Sequence, residues 1–421
     1  MTGSAKVLLV VWISLMCVID ISYSLDCLDM AGKPVSWFIA LKLPQSSTPA
    51  TTGAEFMYMD AKKQKFTKSS VPLTNINQAI GRTLNQVYTN YGNKSVAYGM
   101  YSDQPPPNRG TVSGGHTKGV VALDKVNGFW LVHSVPGFPN VGSKGYSWPK
   151  SAESNGQSLL CISASFDQFD VIGAQLLINC ANTYDHSLLD DNRPPVSGLV
   201  PTNLETIWKR GVDACKESEN WVITTEDITA TKYGNGQHQF QFVSFAKSGP
   251  VPGNVKNPEF YSSQVAPYFK SALYVQTWRS KDCSDADDPH KVYNIDVIKV
   301  GKYQFYSRVD HSKWAVTGTQ PTRLTSSSPP PPPNKQAVCI GDINRDKAQF
   351  ERAGGTVCII ENENVWRAFR SAVRAVKLPE QDCPYGTGGK RPHGALLDGA
   401  QKSGVDIMLL FISIMAITLL W

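Results

Sequence analysis

Two short segments of the sequence carry the same pattern of residues that can do chemistry. Each reads histidine, a small hydroxyl residue, lysine, any residue and then apolar residues. The first is GHTKGVV at residues 115–121 and the second is DHSKWAV at residues 310–316. One HxK pair arises often by chance, but two copies with matching flanks, one in each half of the chain, indicate an internal duplication.

The spacing within each motif predicts how the side chains are presented. Residues two positions apart on a β-strand project from the same face, so we expect each motif to place an imidazole beside an ammonium group. If the two strands meet at a pseudo-twofold axis, two histidines and two lysines converge. No metal ligand is required in such a site.

A cationic site of this kind suits a phosphodiester. Lys118 and Lys313 would neutralise the phosphate oxygens and the charge of the transition state. Of His116 and His311, one would attack phosphorus as nucleophile and the other would protonate the leaving oxygen. Because a neighbouring ammonium lowers the pKa of a histidine, we expect mildly acidic pH to favour the pair, as in a lysosome-like compartment.

The strands and helices that must hold these motifs can be read from residue patterns. Runs rich in β-branched and aromatic residues predict strands, and one-sided apolar spacing predicts helices. The predicted strands are 35–42, 95–101, 116–123, 128–133, 159–164, 239–247, 272–279, 292–300 and 310–317, and the predicted helices are 75–91, 166–178 and 361–377. This mixture through both halves predicts an α/β or α+β architecture.

The composition excludes several classes of protein. The chain has 421 residues, 41% of them hydrophobic and 18% charged, with 33 Gly and 27 Pro. This is not the composition of a disordered polymer, a collagen-like repeat or a coiled coil, and the length allows one large or two domains. The net charge of +6 is compatible with a polyanionic partner but does not identify one.

Both ends of the chain carry apolar segments. Residues 1–24 resemble a secretory signal, since Lys6 precedes the apolar run 7–19, and Ser22 and Ser24 are the small residues before a cut at Leu25. Residues 407–421 form an apolar tail, and the small residues upstream of it resemble a lipid-anchor attachment signal. A retained tail anchor stays open as the alternative.

The cysteines and one sequon point to the same export route. The chain has nine cysteines, and the loss of Cys17 with the signal leaves an even number, which indicates disulfide bonds. No CxxC pair or Cys/His cluster has metal-site spacing, which argues against zinc. Asn93 begins the single N-x-S/T sequon and predicts a glycosylated surface.

Many collinear blocks of the sequence resemble the deoxyribonuclease II family, which shares the HxK logic of the phospholipase D superfamily. Besides the two motifs, these blocks are 34–38, 42–44, 93–95, 102–106, 128–136, 146–149, 156–161, 244–247, 341–345 and 354–358. The resemblance implies a mixed α/β (α+β) fold of two phospholipase D-like halves that form one pseudo-symmetric unit, with central mixed β-sheets flanked by helices. We therefore expect halves at 25–193 and 194–390, followed by a tail at 391–421.

The resemblance also implies an activity. It implies an endonuclease that cuts DNA at acid pH without a divalent metal or other cofactor, leaves 3′-phosphates, and works in a lysosomal or secreted setting. Carried over by position, the catalytic residues are His116, Lys118, His311 and Lys313, with His311 the usual choice for an essential residue.

Further residues follow from the resemblance or from their neighbours. His133 lies in a block with a further candidate for a functional histidine, and Asn344 lies where a polar partner of the second motif would act. Trp314 borders the second lysine and is the best candidate for stacking on an unpaired base, although tryptophans more often lie in a core. The implied disulfide bonds are Cys27–Cys161, Cys283–Cys383 and Cys339–Cys358, which leaves Cys180 and Cys215 as a fourth candidate pair.

The chain departs from the related patterns at a few positions. The phospholipase D pattern has an aspartate five residues after the lysine, whereas Asp124 is six residues after Lys118 and no acidic residue closely follows Lys313. Ala315 stands where the family often has a cysteine.

Two other functions remain open at this point. One is a phospholipase D-like phosphodiesterase that acts on a lipid or another substrate. The other is a catalytically silent, secreted nucleic-acid binder or toxin, although intact histidines and lysines in both motifs argue against lost activity. DNA is the expected partner, and whether the chain forms a homodimer or uses its tail for membrane attachment is left open.

Overall fold

The structure is a computed structural model that describes most of the chain. The described residues are 24–107, 110–189, 195–215, 223–233, 239–249, 259–278, 292–319, 335–346, 349–377 and 395–396. The expected signal at 1–24, apart from Ser24, and the apolar tail at 407–421 lie outside them. Within the described part, no helix is long and apolar enough to cross a membrane.

The first half of the chain forms an eight-stranded sheet in which all neighbours pair antiparallel. Its strands are β1 (Trp37–Lys42), β2 (Phe56–Asp60), β3 (Thr67–Lys68), β4 (Ala97–Ser102), β5 (Lys118–Leu123), β6 (Asn127–His133), β7 (Gln157–Ser165) and β8 (Thr183–His186). Across the sheet they run β3-β2-β1-β7-β6-β5-β4-β8.

The second half forms a larger sheet. Its strands are β9 (Ile223–Thr229), β10 (Gln241–Lys247), β11 (Ala272–Gln276), β12 (Val292–Val300), β13 (Tyr303–Tyr306), β14 (Trp314–Gly318), β15 (Ala337–Gly341), β16 (Gly354–Ile360), β17 (Val373–Val376) and β18 (Ala395–Leu396). They run β18-β17-β12-β11-β14-β15-β16-β10-β9, and β13 pairs with β12 outside this row. β11 and β12 are parallel, and the other described pairs are antiparallel.

Part of each sheet repeats the same arrangement. The row β1-β7-β6-β5-β4 of the first sheet matches the row β10-β16-β15-β14-β11 of the second in chain order and in antiparallel pairing. In this match β5, which follows the first HxK motif, corresponds to β14, which follows the second. The duplication read from the two motifs therefore extends to the strand topology.

The described α-helices pack against the two sheets, some on their outer faces and some in the core that the sheets share. They are α1 (Ala79–Thr89), α2 (Gln168–Ile178), α3 (Thr202–Arg210), α4 (Ala266–Phe269), which continues a π-helical turn at Tyr261–Val265, and α5 (Glu363–Ala372). Gln78 caps the start of α1, since its side chain accepts a hydrogen bond from the Ile80 N–H, and Asn362 caps α5 in the same way at the Val365 N–H. The mixed α+β class predicted from the sequence is confirmed.

The core explains why the central strands are apolar on both faces. Trp37, Ile39 and Leu41 of β1 pack with residues of the second sheet, whereas the alternate residues Phe38 and Ala40 pack with α1. The two sheets thus bury one face against each other and the other face under helices, which is why strands such as β1 read as continuous apolar runs.

Several predicted elements start or end elsewhere. The predicted strand at 116–123 begins at Lys118, and the one at 310–317 begins only at Trp314, so both motif histidines precede their strands. The helix predicted for 361–377 ends at Ala372, and β17 continues the chain from the β-branched Val373. The α3 helix follows the boundary expected at residue 194 but packs on the first half, where the Asn203 N–H donates to Asp170 at 2.9 Å.

Three of the four candidate disulfide bonds lie in the described residues, and all three are formed. They join Cys27 to Cys161, Cys180 to Cys215, and Cys339 to Cys358. Cys283 and Cys383 lie outside the described residues. The first bond ties the start of the chain to β7, the second ties the end of α2 to the segment after α3, and the third joins β15 to β16.

Candidate active site

The two HxK motifs meet where the two sheets join, and each is held by the other half of the chain. The His116 N–H donates to the Ala353 carbonyl at 2.8 Å, just before β16. The His311 N–H donates to the Gly156 carbonyl at 2.9 Å, just before β7. Because β7 and β16 are equivalent in the two sheets, these contacts are a symmetric exchange between the halves.

The prediction that the histidine and the lysine of each motif lie on one β-strand was wrong. His116 lies in a bend before β5, and His311 lies in the irregular segment before β14. Only Lys118 belongs to its strand, and Lys313 immediately precedes β14. The Nζ atom of Lys313 donates to the His311 carbonyl at 2.6 Å, so the lysine side chain turns back to the backbone of its own motif.

The four motif side chains nevertheless lie within electrostatic reach of one another. Burial and then the Lys118 ammonium hold the pKa of His116 well below its usual value, and Lys313 acts in the same direction. Burial and then Lys313 lower the pKa of His311 to about 4, with a further contribution from Lys118. Burial and the Lys118 charge lower the pKa of Lys313 to about 7.

The ring of His116 is oriented from the opposite half. Its Nδ1 lies against the backbone carbonyl of Asp342, which follows β15. A carbonyl oxygen can only accept, so Nδ1 carries the proton and Nε2 of the neutral ring presents a lone pair. His311 has a different environment, with its ring 5.8 Å from that of Trp278.

Lys118 has a buried counterion that sequence reasoning missed. Its ammonium pairs with Asp103, and the other carboxylate oxygen of Asp103 accepts from Arg352 of the second half at 3.0 Å. Although burial opposes it, the Lys118 charge, with His116 and Arg352 acting in the same direction, lowers the pKa of Asp103 to about 2. Asp103 directly follows β4, which pairs antiparallel with β5. Pairing the predicted strands 95–101 and 116–123 in this way would have placed Asp103 beside Lys118.

Two further carboxylates hold the hydroxyl residues of the motifs. Asp342 accepts from Thr117 and from the Gly355 N–H, and Asp310 accepts from the Ser312 hydroxyl at 2.6 Å and from the Ser312 N–H at 3.0 Å. Burial raises the pKa of each carboxyl to about 6. Both carboxylates accept a hydrogen bond from the hydroxyl residue of a motif. Asp342 comes from the half opposite its motif, whereas Asp310 belongs to the motif itself.

His133 and Asn344, the two further candidates, each contact a residue nearby in the chain. His133 is fully buried at the end of β6, where Nδ1 accepts from the Val135 N–H and Nε2 has no partner among the described residues. Burial and then Lys118 lower its pKa to about 3. The amide nitrogen of Asn344 donates to Gln349 at 3.0 Å, and its amide oxygen has no partner in the described part of the chain, so Asn344 does not bond to the second motif.

The structure contradicts Trp314 as a stacking residue. Its side chain is 1% exposed and packs edge-on against Phe369 at 5.2 Å, so no ring face is open to a base. Asn93 lies in an exposed turn, where its side-chain oxygen accepts from the Ser95 N–H, which is accessible to a glycan. Among the described residues, no group of three or more His, Cys, Asp or Glu side chains is arranged to hold a metal ion.

Comparison with known proteins relates this chain to one family. The family model for deoxyribonuclease II matches residues 26–378. Plancitoxin-1 of Acanthaster planci is 38% identical over 367 residues, which cover 84% of this chain and 92% of that protein. Deoxyribonuclease-2-alpha of Mus musculus is 34% identical (83% and 92% covered), and deoxyribonuclease-2-beta of Homo sapiens is 31% identical (83% and 90% covered).

Proposed function

The chain belongs to the deoxyribonuclease II family, and from this premise we propose that its two HxK motifs form one active site that hydrolyses DNA at acid pH without a divalent metal. The observation that carries the proposal is the exchange of contacts between the halves. Each motif histidine is held by a backbone carbonyl of the opposite half, at Ala353 and Gly156. Such mutual support fits two half-sites that act together, as in the two phospholipase D-like halves expected from the sequence.

The first chemical step is assigned from the ring of His116. With the proton on Nδ1, Nε2 attacks the phosphorus of the scissile phosphodiester. The bond from phosphorus to the 5′-oxygen breaks, and His311 in its protonated form donates a proton to that oxygen. The product of this step is a phosphohistidine that carries the 3′-linked strand, together with a free 5′-hydroxyl.

The second step releases the product. His311, now neutral, accepts a proton from a water molecule that attacks the phosphohistidine, and the bond from phosphorus to Nε2 breaks. The DNA keeps a 3′-phosphate, His116 regains a neutral ring, and His311 is protonated again.

The two lysines supply positive charge without being equivalent. Lys118 is paired with Asp103, so part of its charge is balanced within the protein. Lys313 donates to a backbone carbonyl, and its pKa is about 7, so it is cationic at acid pH. Fixed cations around a transferring phosphoryl group stabilise the charge that develops on its oxygens.

The wider setting follows from the family and from the disulfide bonds. Three disulfide bonds fit passage through an oxidising secretory pathway, and we propose delivery to a lysosome or secretion. The phospholipase D-like activity on another substrate and the silent nucleic-acid binder become outcomes of the test below.

The decisive experiment uses the processed protein and supercoiled plasmid at about pH 5, below the ordinary histidine pKa of ~6.5, in excess EDTA. We expect nicking that leaves 3′-phosphates and that is lost in His116→Ala and His311→Ala, while the exposed-residue control Lys144→Met cleaves normally. No nicking, or nicking abolished by EDTA, would reject the proposal. A phosphoenzyme trapped on His311 instead of His116 would reverse the assigned roles.

A further inference from the structure

Two buried lysines outside the motifs occupy equivalent places in the two halves. Lys42 is the last residue of β1 and pairs with Gln157, the first residue of β7. Lys247 is the last residue of β10 and pairs with Gly354, the first residue of β16. Nothing in the proposed reaction uses them.

Both lysines are buried although each carries an ammonium group. Lys42 is 1% exposed and Lys247 is 0% exposed. Burial lowers the pKa of Lys42 to about 7 and that of Lys247 to about 8. A buried charge is costly unless it is hydrogen-bonded, so the partners of these two groups indicate what they do.

The partners are backbone carbonyls in equivalent loops. The Nζ atom of Lys42 donates to the carbonyls of Glu153 and Asn155, the latter at 2.5 Å. The Nζ atom of Lys247 donates to the carbonyl of Phe350 at 2.6 Å. Glu153 and Phe350 each lie four residues before the strand residue with which the lysine pairs, so the same device occurs twice.

These loops are the ones that hold the motif histidines. The loop after Glu153 ends at Gly156, whose carbonyl accepts from the His311 N–H, and the loop after Phe350 ends at Ala353, whose carbonyl accepts from the His116 N–H. The second loop also contains Arg352, which bonds to the counterion of Lys118. Each lysine therefore fixes a loop of its own half that supports the histidine of the other half.

We propose that Lys42 and Lys247 are a duplicated pair of positioning residues, and that each sets the position of the histidine in the opposite half through the loop it holds. Lys42 acts on His311, and Lys247 acts on His116. The inference rests on the proposed function for the meaning of these histidines, but the crossed pattern of support is a property of the fold alone.

The first test measures amide exchange in the intact protein without DNA. We expect Lys42→Met to speed exchange of the His311 amide and to leave the His116 amide unchanged. Lys247→Met should do the reverse, and the exposed-residue control Lys144→Met should change neither. Both amides changing together, or neither changing, would overturn the proposal whatever the protein turns out to cleave.

The second test measures cleavage kinetics. Misplacement of a catalytic group by about 1 Å costs on the order of 100-fold, so each Met variant should lose about 10- to 100-fold in kcat with little change in KM. Lys42 is also one of the charges that lower the pKa of His311, together with Lys313 and Lys118. The pH profile should therefore move to higher pH in Lys42→Met.

Lys247→Met is the matched control for that shift. The groups that act on the His116 pKa are Lys118, Asp103, Lys313 and Arg352, and the groups facing Lys247 are Glu351 and Glu259. Lys247→Met should thus lose kcat without a shift of the profile. The charged groups that face Lys42 are Asp310, Glu153 and Glu55. The shift of the pH profile in Lys42→Met is therefore expected from the loss of the Lys42 charge near His311.

A conservative variant covers the case in which a Met variant does not fold. Lys42→Arg keeps the charge, but its larger, planar guanidinium presents its donors in a rigid fork in place of one compact nitrogen, so it should not reproduce the position of the loop. It should fold, show faster exchange at the His311 amide alone, and retain the wild-type pH profile. Wild-type exchange together with wild-type kcat in this variant would overturn the role of Lys42.

Discussion

The pH dependence of DNA cleavage is the sharpest consequence of the site. His311 is the proposed general acid, and only its protonated form can donate to the leaving 5′-oxygen. Its pKa is lowered to about 4 by burial and by the Lys313 charge. Because a base with a lowered pKa loses its proton as the pH rises above that value, the active fraction must fall across the whole mildly acidic range.

The size of the effect follows from this pKa. The protonated fraction of His311 is about one in ten at pH 5 and about one in a thousand at pH 7. We therefore expect kcat/KM to fall about tenfold per pH unit, or about 100-fold between pH 5 and pH 7. Near pH 7 the fall should steepen, since Lys313, whose pKa is about 7, then loses its charge too.

The assay compares two substrates over the same pH range in excess EDTA. The first is DNA, and the second is a nucleoside 3′-phosphodiester with a nitrophenolate leaving group, which departs without a proton. The slope should be present with DNA and much weaker with the nitrophenyl ester, and His311→Ala should lose far more activity on DNA than on the ester. A flat or rising DNA profile from pH 5 to pH 7 would refute His311 as the acid.

Three other predictions concern residues around the site. Asp103→Asn leaves the buried Lys118 without a counterion and should lower the free energy of unfolding by about 3–5 kcal/mol at pH 6. Because the folded pKa of Asp103 is lowered to about 2, the stability difference between wild type and variant in urea unfolding should shrink as the pH falls from about 4 through 2. The same difference at pH 6 and at pH 2 would mean that the variant is destabilised by packing. Replacing Cys180 and Cys215 with serine opens a loop of 35 residues and should lower the free energy of unfolding by about 3–4 kcal/mol, with loss of activity only where the protein unfolds. Trp314→Ala should destabilise the core by about 3–5 kcal/mol yet leave the affinity of the folded protein for single-stranded DNA unchanged; a selective loss of affinity would restore the stacking role.

The chemical groups of the site were visible in the sequence because they are local. The HxK spacing and its repetition are relations between near neighbours, and they identified His116, Lys118, His311 and Lys313 before any fold was known. The mixed architecture and most of the strands around these residues also followed, since side-chain periodicity reports burial directly. The error lay in extending the strands to the histidines, because backbone contacts with the other half interrupt the ladder there.

The supporting groups were decided only by the packing of the two halves. Asp342 lies 226 residues along the chain from His116, and Arg352 lies 249 residues from Asp103, yet both pairs are in contact. Trp314 is an aromatic residue beside a motif lysine, but it belongs to the core because Phe369 of α5 packs against its ring. Residue spacing predicts which side chains are neighbours within one strand or helix. It does not predict contacts between residues that are far apart in the sequence.

The sequence by itself determined which groups could do the chemistry and that they occur twice. The tertiary structure alone decided how they are charged and held. The proton position on His116 follows from a carbonyl of the opposite half, and the lowered pKa of His311 follows from burial. Desolvation and hydrogen-bond geometry arise only when distant segments exclude water from one place, so they are properties of the packed molecule and not of any motif within it.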